Sequence, residues 1–133
     1  MSGSESKKTI PNALIGAAGV YHVASEFSRR GLIALPTIRN TKGYDIIVAS
    51  PEGTQYANID VKTSQRCVEY WPMPSSGAVS CGNNDFYVLL RRLEKEDRFE
   101  GFMLTGTEAR EEVARWENED SYNVKQRSEG KPK

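Results

Sequence analysis

One complete amphipathic helix, bounded by Pro11 and Gly31, is the strongest folding signal in this chain of 133 residues. Proline fits the first turn of a helix, and a glycine that follows two arginines is typical of a helix C-terminus. Apolar residues recur between these bounds at three- and four-residue spacing, at Leu14, Ala17, Val20, Ala24 and Phe27. Because such a stripe must be buried against another element, we expect the helix to lie across a sheet.

Five strand-like runs follow this helix. They are short, rich in β-branched and aromatic residues and bounded by turn-forming residues, and they span residues 32–38, 44–50, 55–64, 85–90 and 99–104. Thr107 is the expected N-cap of a short final helix. These elements predict an α+β (or α/β) fold, with an N-terminal helix packed on a mixed β-sheet of about five strands and a C-terminal helix.

Length and composition favour a single domain over residues 11–117. The polar, aperiodic ends at 1–10 and 118–133 are expected to be disordered tails, and residues 65–84 are expected to form a long loop that is either functional or mobile. The chain has no apolar run of about 20 residues that could cross a bilayer, and its start lacks the apolar centre of a secretory signal. We therefore expect a cytoplasmic protein with no membrane partner.

Scarce histidine and cysteine exclude some kinds of chemistry. His22 is the single histidine, and Cys67 and Cys81 lack CxxC spacing, which argues against a structural zinc site and against Ser/His or Cys/His hydrolysis. The net charge of zero argues against nucleic-acid binding through bulk basicity. Positive charge is nevertheless in excess over residues 29–66 and negative charge over 94–120. The sequence is therefore compatible with a local basic surface that binds nucleic acid.

The most informative residues are Asp45, Asp60 and Lys62, in the segments GYDI and IDVKTS. Side chains alternate along a strand, so Asp60 and Lys62 share one face. If the intervening turn centres near Pro51 and Glu52, residue 45 pairs roughly with residue 58. Asp45 would then lie on the same face as Asp60, one diagonal step away.

Two neighbouring carboxylates repel each other unless a divalent cation lies between them. Oxygen ligands alone select Mg²⁺ or Mn²⁺. A lysine on the same face can orient or deprotonate a water that attacks a phosphodiester, while the cation neutralises charge on the phosphate. The three residues therefore predict a metal-dependent nuclease, although a D-x-K triplet alone is equally compatible with a surface charge pair.

In this order, the helix, GYDI and IDVKTS resemble the PD-(D/E)XK (restriction endonuclease-like) nuclease superfamily, and most closely a group of small bacterial proteins with GxDI and VKTS segments. The resemblance covers residues 11–66 and implies a magnesium-dependent endonuclease acting on DNA, or on RNA. It implies Asp45 and Asp60 as catalytic metal ligands, Lys62 as a catalytic residue, and the backbone carbonyl of Val61 as a further ligand.

One position departs from this pattern. Relatives often carry a helix glutamate where this sequence has Val20, and Glu26 lies nearly two turns later. Glu26 is therefore a weaker catalytic candidate, and it is equally compatible with a solvated helix residue.

Four residues near the site are candidates for nucleic-acid contacts. Arg39, Lys42 and Arg66 could meet phosphates, and Trp71 could stack on an unpaired base or simply anchor the long loop. Ordinary surface charge is the alternative for the three basic residues.

Two alternatives to an active nuclease stay open. The first is a catalytically degenerate nucleic-acid-binding or regulatory module on the same fold, and the second is a protein-interaction domain that uses the acidic C-terminal helix. Because small nucleases that cut both strands commonly need two active sites, a homodimer is one possible assembly.

Overall fold

The computed structural model describes residues 9–37, 44–67 and 71–128. Two helices and five strands follow each other along the chain: α1 (Asn12–Arg29), β1 (Ile33–Pro36), β2 (Ile46–Ala49), β3 (Tyr56–Ser64), β4 (Asp85–Leu93), β5 (Arg98–Thr105) and α2 (Gly106–Ser128). A 3₁₀ turn, Ser76–Ala78, lies between β3 and β4. The α+β fold with an N-terminal helix, a five-stranded mixed sheet and a C-terminal helix is confirmed.

The strands lie in the sheet in chain order, β1-β2-β3-β4-β5. All neighbours are antiparallel except β3 and β4, which are parallel. A parallel pair requires a crossover connection, usually a helix. Here the long segment after β3, containing the 3₁₀ turn, makes that crossover, which explains why so long a segment without helical or strand periodicity occurs in a small domain.

Helix α1 covers one face of the sheet. Its buried Val23 packs with inward-facing residues of three strands: Ile46, Val48, Ile59, Val61, Val88 and Leu90. Helix and sheet approach each other closely at Gly19, where an added Cβ would overlap the Thr63 hydroxyl of β3. The glycine thus lets the helix lie directly on the strand that carries Asp60 and Lys62.

Helix α2 covers part of the opposite face. A second, smaller core joins Ala109 of α2 to Tyr87 of β4 and to Val79 of the crossover segment. The face opposite α1 is therefore covered over β4 and β5. Over β1 to β3 it carries large exposed apolar side chains at Ile33, Leu35, Ile47 and Tyr56.

The C-terminal helix differs from expectation at both ends. The N-cap is Thr105, not Thr107: the Glu108 amide donates to Thr105 Oγ1, and the Thr105 amide donates to Glu108 Oε1. This is a capping box, whose T-x-x-E spacing was legible in the sequence. The helix then continues to Ser128, past the predicted end at residue 117, because no glycine or proline interrupts residues 107–129.

Within the described part of the chain, neither helix is long and apolar enough to cross a membrane.

Candidate active site

The candidate site lies where β2 begins beside β3. The turn between these strands centres between Glu52 and Gly53, because Ser50 donates its amide to the Gln55 carbonyl and Gly53 takes a positive φ of 74°. Ile47 therefore pairs with Asn58, so the predicted pairing of residue 45 with residue 58 is wrong by two residues. A shift of two keeps every side chain on its face, and it moves Asp45 closer to Asp60.

Asp45 leaves the regular ladder at this point. Its amide donates to the Ile59 carbonyl at 2.9 Å, although Ile59 is already the register partner of Ile46. Asp45 and Ile46, the first residue of β2, thus both oppose Ile59 of β3, as in a β-bulge. The Asp45 carboxylate turns toward β3, where Oδ2 accepts the Val61 amide at 2.7 Å.

The backbone carbonyl of Val61 points to the same side. In a strand, the N–H and C=O of one residue face the same neighbouring strand. Since the Val61 amide reaches the Asp45 carboxylate, its carbonyl is also directed toward the edge at which β2 begins. Backbone and side-chain oxygens therefore face one region.

Asp60 and Lys62 complete the cluster. Lys62 Nζ lies 3.4 Å from Asp60 Oδ1, and the Asp60 side chain is only 19% exposed. Burial raises the pKa of Asp60 to about 6; the positive charge of Lys62 opposes this rise, and the neighbouring Asp45 carboxyl adds to it. A carboxyl group held in this way binds a proton or a cation more readily than an ordinary aspartate.

A buried polar network borders the cluster. The Asp85 carboxylate, 9% exposed, accepts hydrogen bonds from the Asn58 side chain at 3.1 Å and from the Gly82 amide at 2.8 Å. Burial acts to raise the pKa of Asp85, but these bonds and one from Tyr44 together hold it below its ordinary value. The bond to Asp85 raises the pKa of the Tyr44 hydroxyl.

This network ties the residue before Asp45 to the start of β4. Sequence reasoning missed it, although Asn58 lies two residues before Asp60 on the same strand face and was a signal for a polar neighbourhood. The network supports the backbone that carries Asp45.

Glu26 does not join the cluster. Its carboxylate is bound by Arg29 at 3.2 Å and by Arg30 at 2.6 Å, on its own helix. The Arg30 hydrogen bond is the main cause that lowers the pKa of Glu26. Val20, at the position of the expected helix glutamate, packs against the core under the sheet.

No third acidic, histidine or cysteine side chain joins Asp45 and Asp60 in a metal-binding group among residues 9–37, 44–67 and 71–119. The oxygen ligands that the described chain offers are therefore two carboxylates and the Val61 carbonyl. This set suits a hard divalent cation that keeps several waters, as Mg²⁺ usually does.

The structure describes two of the four residues predicted to contact nucleic acid. Arg39 and Lys42 lie outside the described residues. Arg66 is exposed just beyond β3, where its amide contacts the Ser64 hydroxyl. Trp71 anchors the crossover segment to the sheet, because its indole N–H donates to the Leu90 carbonyl at 2.6 Å.

Comparisons with protein-family models, with curated proteins and with solved structures found no match to this chain.

Proposed function

We propose that this chain is a metal-dependent nuclease that hydrolyses phosphodiester bonds in DNA, and that α1 with the β1–β3 meander is a restriction endonuclease-like core. The observation that carries the proposal is the meeting of Asp45, Asp60 and Lys62 at one point. The burial and raised pKa of Asp60 distinguish this meeting from a solvated charge pair, because perturbed carboxyls concentrate at functional sites.

The residues present fit a magnesium or manganese ion, held by Asp45, Asp60 and the Val61 carbonyl. When bound, the ion would neutralise charge on the phosphate under attack. In this proposal Lys62 orients the attacking water and takes part in its deprotonation. Asp60 must be ionised to act as a ligand, so we expect activity to fall as the pH drops below about 6.

The second candidate is a catalytically degenerate module that binds nucleic acid on the same fold. The pairing of Glu26 with Arg29 and Arg30 favours it, because the described chain then supplies only two acidic ligands. RNA in place of DNA is a variant of the first proposal, since the cluster alone contacts no base.

Cleavage assays with matched variants test the first proposal. Lys62→Ala and Asp60→Asn should each lower Mn²⁺- or Mg²⁺-dependent DNA cleavage by about 10²–10⁴-fold, the usual contribution of such groups. Lys95→Ala and Glu52→Gln are the controls, because both residues are exposed in turns away from the site. Cleavage that persists unchanged in both site variants would contradict the proposal.

Calorimetric titration with Mn²⁺ separates the two candidates. Heat of binding that disappears in Asp60→Asn supports the nuclease. The degenerate module predicts nucleic-acid binding without any metal binding that depends on Asp60.

A further inference from the structure

An apolar cleft of about 850 Å³ opens beside the candidate site. It is lined by α2, by β4 and β5, and by the crossover segment, with both tryptophans of the chain, Trp71 and Trp116, in its walls. Leu89 in its floor is the register partner of Lys62. Because register partners on neighbouring strands share a face, the cleft begins one strand away from the Lys62 side chain.

We propose that this cleft holds the base of an unpaired nucleotide next to the phosphate that is cleaved. The proposal rests on the proposed function in taking nucleic acid as the ligand, and it narrows the substrate to single-stranded DNA or to a duplex with an extruded nucleotide.

The two tryptophans suit a stacking role in different ways. The indole N–H of Trp71 is bound to Leu90, and its ring meets the Phe102 ring edge-on at 5.9 Å, so its orientation is fixed before any ligand arrives. Trp116 is 57% exposed on α2, which is unusual for so large an apolar side chain. Base stacking on such rings is strong and tolerant of sequence.

The charge of the lining selects a base rather than a phosphate. Its charged residues are Glu117 and Glu112, the latter paired with Arg115 on the same helix, and none of the described lining residues is basic. Hydrogen bonds from Ser76 lower the pKa of Glu117 and keep it ionised. Carboxylates repel phosphate but accept hydrogen bonds from the amino groups of bases. The base would enter the cleft while its phosphate stays outside, toward Lys62.

The acidic surface of α2 also disfavours a duplex in this place. Glu108, Glu111 and Glu112 outnumber Arg110 on its first two turns, and this excess of negative charge would repel the dense charge of two phosphate backbones. A paired base is moreover inaccessible to a pocket unless it leaves the stack. Both arguments point to an unpaired nucleotide as the occupant.

Tryptophan fluorescence is a direct readout, because both tryptophans line the cleft. We would titrate the Asp60→Asn protein, in EDTA, with a ten-nucleotide deoxycytidine strand, whose bases carry amino groups, and with a duplex of the same length. We expect quenching by the single strand and at least tenfold weaker binding of the duplex. Trp116→Ala should weaken single-strand binding about tenfold, and Trp116→Phe should restore most of it.

Tyr21→Ala is the control, because Tyr21 is 67% exposed on α1, on the other side of the sheet. The proposal is overturned if the single strand causes no quenching, or if a folded Trp116→Ala protein binds as tightly as the parent. Quenching by a wild-type protein that cleaves no DNA with Mn²⁺ would support the cleft and overturn the nuclease. Cleavage without quenching would support the nuclease and overturn the binding of a base in the cleft.

Discussion

At the scale of single residues, Asp60 is an ionisable group that destabilises the metal-free protein. Its pKa rises from 3.8 in the unfolded chain to about 6 in the folded one, chiefly through burial. Folding therefore favours the protonated form, and the unfolding free energy decreases as the pH rises from about 4 to about 6. Such a cost at a functional carboxyl is expected where a site is built to bind a cation.

Asp60→Asn removes this cost. At pH 8 and without metal, we expect the variant to unfold with a free energy roughly 1–3 kcal/mol higher than the wild type. Near pH 3, where Asp60 is largely protonated in both states, the two proteins should have similar stability. Urea denaturation at both pH values measures the difference, with Glu52→Gln as the control. Equal stabilisation at both values would show that the Asp60 charge is not the cause.

At the scale of elements, the position of α1 depends on one glycine. An added Cβ at Gly19 would overlap the Thr63 hydroxyl, whereas a Cβ at Gly16, on the same helix, meets nothing within 4 Å. Close contact between α1 and β3 is therefore specific to Gly19. Because β3 carries Asp60 and Lys62, the fit of the helix also fixes the strand behind the site.

We expect Gly19→Ala to lower the unfolding free energy by about 1–3 kcal/mol, as overpacking does, and Gly16→Ala to raise it by up to about 1 kcal/mol through helix propensity. Thermal or urea denaturation measures both. Removing the opposing hydroxyl with Thr63→Ala should recover part of the loss in a double variant. If both glycine variants behave alike, helix propensity rather than contact with β3 decides their stability.

At the scale of the whole molecule, the sheet separates the main hydrophobic core from the candidate site. One face is packed against α1 and forms the main core, and the other presents the candidate site beside the cleft under α2. Site residues alternate along β3 with core residues, Asp60 next to Val61. Binding at one face therefore stabilises the entire fold through the same strand.

A divalent cation should raise the melting temperature if it binds this site, because a ligand that binds only the folded state stabilises it. Excess Mn²⁺ at one hundred times its dissociation constant corresponds to about 2.7 kcal/mol. We expect the shift at pH 8, a smaller one at pH 5, where Asp60 is largely protonated, and none in Asp60→Asn. Equal shifts in the wild type and in this variant would place the cation elsewhere.

Local pattern determined much of this protein from the sequence alone. Pro11 and Gly31 bound the first helix to within two residues of Asn12–Arg29, and the five strand-like runs match the five strands. Alternation along β3 placed Asp60 and Lys62 on one face. These features depend on backbone preferences and on side-chain periods of 3.6 and 2, which act over a few neighbouring residues.

Tertiary structure decided the strand register, the burial of Asp60 and the surroundings of Glu26, which side-chain periodicity does not determine. The turn at Gly53 set the register that brings Asp45 close to Asp60, and packing set the burial that raises the Asp60 pKa. Glu26 lies on α1, which packs on the face of the sheet opposite to Asp60 and Lys62, and it pairs there with Arg29 and Arg30. The register is decided by turn geometry and the burial by residues distant in sequence, so both follow only once the strands, helices and crossover segment are assembled.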